Sequence, residues 1–248
     1  MTYNLIGVGN NAKTIKGDGS EYMTAIMYLK PHKTMWKGKV RNICPMADTA
    51  GCAEGCLHTA GRGAMSNVQA GRLRKTELLF EDREQFIRLL KTDITIFSRR
   101  TINKGIQPCQ RLDGTSDNQW ERFGIMEKFP AVQFYDYTKI VKRAYKKLPS
   151  NYHLTLSYSE ANPEYANEVK QAVDDTGVNM AVVFGVKSAD DFPTTFLGLP
   201  VINGDKDDLR FLDPTHCVVG LIAKGRAKKD TSGFVVHPNE DGTWGRLA

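Results

Sequence analysis

The chain has 248 residues, of which 41% are hydrophobic and 25% are charged, a composition that favours a folded globular protein and excludes a disordered one. It contains no apolar run of about 18 residues, which excludes a transmembrane helix, and its N-terminus lacks the pattern of a signal peptide. The formal net charge of +6 is compatible with nucleic acid or an anionic ligand but does not identify either one.

Predicted strands and helices alternate along the chain. The first buried strand covers residues 22–29, and a basic loop through Trp36 and Gly38 leads from it to Cys44. The clearest helix covers 81–99, because apolar residues recur there at helical spacing. Later strands are predicted at 109–112, 131–135, 153–158, 179–184, 199–203, 217–222 and 233–236. Other helices are predicted at 67–75 after an N-cap at Ser66, around Trp120, at about 139–147 and at 164–175.

This alternation indicates a parallel sheet with crossover helices, in one domain that covers residues 1–248. The fold class is therefore α/β. With about six to eight strands, a partial or complete β/α barrel of the TIM type is the preferred fold, and a doubly wound open sheet is the alternative. In both folds the carboxyl ends of the strands form one rim where ligands bind.

The functional prediction depends on a loop with the cysteines Cys44, Cys52 and Cys56, separated by small residues. We expect a cytosolic protein, in which clustered cysteines bind metal more often than they form disulfides. Three thiolates in one loop suit an iron–sulfur cluster or zinc. Structural zinc needs a fourth ligand, for which His58 is the nearest candidate, with Cys109 and Cys217 further away. The alternative without a metal is that the cysteines pack as core residues, or that two of them form a disulfide.

Polar side chains follow several of the predicted strands, and we expect them to share the rim with the cysteine loop. Turn and helix-cap chemistry is the alternative for each of them, because Asp, Ser and Thr are favoured at such positions. The acidic stretch at 205–208 is interpreted as a solvated turn. The candidate ligand-binding residues are Asp113, Thr115, Ser116, Asp117 and Glu160.

Several segments together resemble a family of bacteriophage proteins. These segments are 44–56, 59–63, 111–117, 134–139, 203–205, 210–214 and the Lys-rich stretch before 233–235, so the resemblance covers nearly the whole chain. It implies a [4Fe–4S] cluster held by Cys44, Cys52 and Cys56 on a barrel like the radical S-adenosylmethionine core. In that core the cysteine loop follows the first strand, with a shorter cysteine spacing than here, and the open iron binds the cofactor's amino and carboxylate groups. Cys109 and Cys217 lie outside the family's cluster, which leaves the ligand of the fourth iron open.

The resemblance implies a cofactor rather than an activity, and two classes of function stay open. One is an enzyme with S-adenosylmethionine at the open iron, contacted by the candidate ligand-binding residues. The other is a redox or structural iron–sulfur protein whose basic loops contact nucleic acid. Either one would act in the host cytoplasm as a viral protein. Family members are also labelled rolling-circle replication initiators, but no two of the five histidines have the two-residue spacing that such a nickase needs for its metal.

Overall fold

A large, mostly parallel sheet organises the fold. The computed structural model describes residues 4–9 and 21–245. The strands within these ranges are β1 (Ile6–Val8), β2 (Tyr22–Met27), β3 (Lys33–Trp36), β4 (Lys39–Asn42), β5 (Gln107–Arg111), β6 (Gln133–Thr138), β7 (Tyr152–Ser157), β8 (Met180–Phe184), β9 (Thr195–Phe196), β10 (Leu199–Asn203), β11 (Val218–Ile222) and β12 (Val235–Val236). The helices are α1 (Cys52–Gly55), α2 (Ser66–Glu81), α3 (Arg83–Ile102), α4 (Ile125–Lys128) and α5 (Pro163–Thr176).

The main sheet has the strand order β1-β2-β5-β6-β7-β8-β11-β10-β9. From β2 to β10 all neighbours in this order are parallel, whereas β1 and β9 pair antiparallel with β2 and β10 at the two edges. The predicted parallel α/β sheet is therefore present. The described strands do not form the complete barrel. To close it, β2 and β10 would have to pair, but β1 and β9 occupy their outer edges.

The short strand β12 enters the middle of this sheet. It pairs with Val183 and Phe184 at the carboxyl end of β8, whereas β7 pairs with the amino end of β8 at Met180 and Ala181. The other side of β8 is occupied along its whole length by β11. It follows that β12 lies on the β7 side of β8 and continues the pairing where β7 leaves off.

Helices cover one face of the sheet and form the hydrophobic core there. The apolar side of α3, with Phe86, Leu90 and Ile94, belongs to one buried cluster, and α5 belongs to a second one. Side chains alternate along a strand, so Val182 of β8 packs in the second cluster while its neighbours Ala181 and Val183 point to the opposite face. The opposite face is left free to line a cavity.

The segment between β10 and β11, which we call the return segment, folds back across this free face. β5 and β10 are five positions apart in the sheet, about 24 Å if the sheet were flat. Even so, Arg111 at the end of β5 donates a hydrogen bond to Asp208 at 2.7 Å. The ring of Phe211 also lies 5.4 Å from that of Tyr22 on β2 and 5.5 Å from that of Tyr135 on β6. The return segment thus bridges strands that are distant within the sheet.

Three local predictions are wrong for identifiable reasons. The predicted basic loop is a two-stranded ribbon, β3–β4, whose turn at Lys37 and Gly38 has positive φ at both residues and therefore suits a tight hairpin. The predicted helix at 139–147 is only a short turn, Val141–Arg143. Ser66 is the first residue of α2 rather than its cap. No helix in the described part of the chain is both long and apolar enough to cross a membrane.

The missing helix after β6 has a physical cause in hydrogen bonds to Asp117. The Thr138 hydroxyl and the Lys139 backbone N–H both donate to its carboxylate, at 2.8 Å each. The backbone N–H of Ile140 then donates to the Thr138 hydroxyl at 3.1 Å. These bonds hold the chain in a non-helical path directly after the strand.

Candidate functional site

A cavity of about 490 Å³ opens at the carboxyl ends of the parallel strands. Its wall combines residues from the ends of five strands with the loop that carries Cys44, Cys52 and Cys56. The cysteine loop follows β2 and the ribbon, and the loop 111–117 follows β5, so parallel pairing brings both to the same rim. The structure thus brings together the three cysteines and four of the five candidate ligand-binding residues.

The cysteine loop is held in place by contacts with the end of β7. Gly51 precedes α1 with φ of 61°, and a Cβ atom there would lie 2.6 Å from Cβ of Ala161. The hydroxyl of Ser159 donates to the carbonyl of Ala50 at 2.7 Å. Close backbone approach therefore explains the small residues of the loop.

The cysteine thiols are free and partly buried, and the half-buried Lys139 lines the same cavity. Burial raises the pKa of Cys44 to about 12 and also raises the pKa of Cys56. Burial alone would lower the pKa of Lys139, but Cys52, Asp117 and the other two cysteines outweigh burial, so that the pKa is raised. Cys44 and Cys56 are therefore protonated at neutral pH, and metal binding would release their protons.

The three candidates for a fourth zinc ligand lie away from the cysteines. His58, Cys109 and Cys217 do not line the cavity, whereas His32 does. The backbone N–H of His32 points at the Cys44 sulfur at 3.3 Å, a contact of the kind that tunes cluster potentials. Within the described ranges, no three side chains of His, Cys, Asp or Glu stand close enough together to hold a metal ion.

Asp113 organises the loop that follows β5. Its carboxylate accepts hydrogen bonds from the hydroxyl of Ser116 and from the backbone and side-chain N–H groups of Asn118. Burial and then the charge of Asp117 raise the pKa of Asp113 to about 6. The hydroxyl of Thr115 donates to the carbonyl of Leu29 at 2.6 Å. The bonds of Asp113 are local turn contacts, whereas the bond of Thr115 reaches the segment after β2.

Asp117 connects the cysteine loop with the end of β6. Its backbone N–H donates to the carbonyl of Ile43, next to Cys44, at 2.9 Å. Its carboxylate binds Lys139 and Thr138 as described above. Burial raises the pKa of Asp117 although these bonds oppose the shift. Asp117 therefore fixes the position of Lys139 relative to the cysteines.

Glu160 lies away from the cavity. It is buried, accepts a hydrogen bond from the hydroxyl of Tyr158 at 3.3 Å, and donates its backbone N–H to the carbonyl of Gly233. Its carboxylate is thus directed to the C-terminal segment of the chain, not to the rim.

Several cavity residues were not among the candidates. Arg111 at the end of β5 and Lys139 just after β6 are among the polar residues that were expected at the rim, but they were not chosen as ligand candidates. Asp208 is only 2% exposed, so the acidic stretch is not the solvated turn that was predicted. The charged and aromatic lining residues outside the candidate set are His32, Arg111, Tyr137, Lys139, Tyr158, Asp208, Lys224 and Phe234.

The family model for gene product 88 matches residues 4–238. The chain belongs to the gene product 88 family. This is a bacteriophage-type family, which confirms the coarser part of the resemblance. No curated protein and no solved structure matches the chain. In this gene product 88 protein the matched residues include the whole cysteine loop and all five candidate ligand-binding positions.

Proposed function

We propose that the protein binds a [4Fe–4S] cluster through Cys44, Cys52 and Cys56 at the mouth of the cavity. The observation that carries the proposal is that all three cysteines line one cavity at the carboxyl ends of parallel strands. Among the described residues, the three sulfurs do not stand close enough together to hold a metal ion. On this proposal, the loop 44–56 therefore moves to bring them together when the cluster binds.

Charge compensation supports this assignment. Buried thiolates need a cation, and Lys139 provides one among the three cysteines. The backbone N–H of His32 supplies a hydrogen bond to one sulfur. Such donors stabilise the charge on cluster ligands and shift the reduction potential.

We further propose that β2 to β10 form a partial β/α barrel of the radical S-adenosylmethionine type. Its support is the order of elements: the cysteine loop comes after the first parallel strand, β2, and the cavity lies at the carboxyl ends of that strand and its neighbours. The cavity volume is in the range of about 300–1,000 Å³ that is usual for small-molecule sites.

Within this cavity the chain offers the groups that S-adenosylmethionine would need. Asp113, Thr115, Ser116 and Asp117 are the candidates for polar contacts with it, and Tyr137 and Val183 offer apolar surface for its adenine ring. When bound, a reduced cluster supplies the electron that cleaves the sulfonium of this cofactor. The role of the protein residues is to orient the cofactor and to exclude water.

A specific observation favours a second candidate, a redox or structural cluster without S-adenosylmethionine. The side chains of Asp113, Thr115 and Asp117 are already bonded within the protein, and Glu160 lies off the rim. On this alternative their function is to hold the cysteine loop.

Anaerobic reconstitution tests the cluster. We expect about four irons per chain, broad absorption near ~400 nm and an EPR signal after reduction. The variant Cys44→Ala/Cys52→Ala/Cys56→Ala should lose the iron, whereas the matched control Cys109→Ala/Cys217→Ala should keep it. Stoichiometric zinc with no iron would overturn the proposal.

A second measurement separates the two candidates. With dithionite and S-adenosylmethionine, the enzyme should yield 5′-deoxyadenosine, and the cofactor should change the EPR spectrum. A protein that holds its cluster but shows neither response is the redox or structural protein.

A further inference from the structure

The ribbon β3–β4 is an exposed basic element. Lys33, Lys37, Lys39 and Arg41 are all exposed, and the sequence has no acidic residue between Glu21 and Asp48. The two strands pair in regular antiparallel register around the tight turn at its tip. The ribbon therefore presents its positive charges on a rigid scaffold.

This ribbon rises directly from the rim of the cavity. His32 precedes it, Cys44 follows it closely, and both residues line the cavity. A ligand bound along the ribbon would thus lie beside the cysteine loop.

A second basic segment lies on the other side of the cysteine loop. The short helical turn Gly225–Lys229 exposes Arg226, Lys228 and Lys229. The backbone N–H of Arg226 donates to the Thr59 hydroxyl at 3.3 Å, just beyond the last cysteine. We call the seven cations on the two sides the basic rim: Lys33, Lys37, Lys39, Arg41, Arg226, Lys228 and Lys229.

Only part of this charge is neutralised within the protein. Three exposed ion pairs are formed, Lys33 with Asp48 at 2.8 Å, Lys37 with Glu81 at 3.2 Å and Arg226 with Glu54 at 3.9 Å. Exposed pairs of this kind are weak, so an external polyanion can compete for them. The other four cations form no ion pair with any described residue.

We propose that the basic rim binds the phosphate backbone of a nucleic acid and presents it to the cavity mouth. A two-stranded ribbon has the width to enter the major groove of a duplex, and its exposed Met35 and Val40 can contact bases. A membrane surface fits less well, because it requires a broad apolar face next to the charges, and Met35 and Val40 are the only exposed apolar side chains of the ribbon. The proposal does not depend on the cluster.

Binding of the full chain to labelled DNA tests this. The probes are a duplex of about 20 base pairs, two helical turns, and a single strand of the same length, with affinity measured over a salt series. In Lys39→Ala/Arg41→Ala the slope of log affinity against log salt should fall by about 2, and low-salt affinity by about tenfold, because each lost phosphate contact removes about one unit of slope. The second variant, Arg226→Ala/Lys228→Ala/Lys229→Ala, should show a fall of about 3.

The matched control for the two-cation variant is Lys104→Ala/Lys128→Ala, which removes the same charge from exposed positions. These lysines precede β5 and β6, at the amino ends of the strands and away from the cavity. The control should bind within about twofold of the parent chain, with an unchanged slope. Equal losses in control and rim variants, absence of salt-dependent binding, or preference for anionic lipid vesicles over both DNA probes would overturn the proposal.

Discussion

Two buried arginines have opposite surroundings. Arg143 is fully buried, and its guanidinium donates to Glu121 and to the Tyr152 hydroxyl at 2.9 Å each. Arg72 is 7% exposed, and its Nε and Nη1 atoms have no hydrogen-bond partner among the described residues. Its guanidinium carbon lies 5.0 Å from the ring centroid of Tyr28, and burial lowers its pKa. A buried cation without a carboxylate calls for an anion nearby, which thiolates of a bound cluster would provide.

The contrast predicts different responses to the same substitution in protein purified without added metal. Arg143→Met should lower the free energy of unfolding by about 3–5 kcal/mol, because it leaves buried partners unpaired. Arg72→Met should change it by no more than about 1 kcal/mol, because the lost cation–π contact of about 0.5–2 kcal/mol is offset by relief of desolvation. Urea unfolding measures both values. A loss for Arg72→Met as large as that for Arg143→Met would show that Arg72 has a partner in the protein.

At the scale of elements, apolar runs predicted the architecture, and local chemistry did not predict its details. The strands β2, β7, β8 and β11 and the helices α3 and α5 were identified because burial imposes a regular pattern on their sequences. The ribbon was missed because Lys37-Gly38 is a weaker hairpin signal than Asn-Gly. The helix after β6 was wrong because Asp117, distant in sequence, binds that segment.

The same limit applies to the candidate site. Residues 44–56 and 111–117 could be placed on one rim, because strand order alone fixes that edge. The sequence does not show which side chains face the cavity. Asp113 and Glu160 are both buried acids that follow strands, and only tertiary contacts decide where each carboxylate points. Asp208 was misread because the return segment that buries it has no sequence pattern.

Two glycines in different elements should respond to alanine with opposite signs. At Gly71, inside α2, a Cβ would meet only the end of the Arg74 side chain at 3.8 Å. Gly71→Ala should therefore raise the free energy of unfolding by about 0.5–1 kcal/mol through helix propensity.

At Gly114, just after β5, a Cβ would lie 2.6 Å from the ring of Tyr28 and 2.7 Å from the side chain of Ile26. Gly114→Ala should lower the free energy of unfolding by about 1–3 kcal/mol through overpacking. Thermal and urea unfolding of the two variants measure the difference, and a shift of the same sign in both would contradict the packing described here.

For the whole molecule, the pair Arg111–Asp208 joins the two sides of the cavity. Both side chains are less than a tenth exposed; Arg111 is the last residue of β5, and Asp208 lies in the segment that follows β10. The pair fixes the return segment across the free face of the sheet. It therefore contributes to the shape of the cavity as well as to stability.

A double-mutant cycle with Arg111→Met and Asp208→Asn measures this connection. Each single variant should lower the free energy of unfolding by about 3–5 kcal/mol, and the double variant should lose less than the sum, with a coupling energy of about 2–3 kcal/mol. The exposed pair Lys37–Glu81 is the control, with an expected coupling below about 1 kcal/mol. Additive losses at Arg111 and Asp208 would mean that the segment does not cross the cavity.

The position of β12 has a consequence for synthesis on the ribosome. Among the described residues, no strand before β12 pairs with the carboxyl end of β8 on its β7 side, so that place stays empty until Val235 and Val236 have been translated. The carbonyl of Gly233, just before β12, accepts the backbone N–H of Glu160, and Ser159 beside it holds the cysteine loop at Ala50. A nascent chain can thus form its core early, but the contact between Glu160 and Gly233 beside the cysteine loop forms only after that segment has emerged.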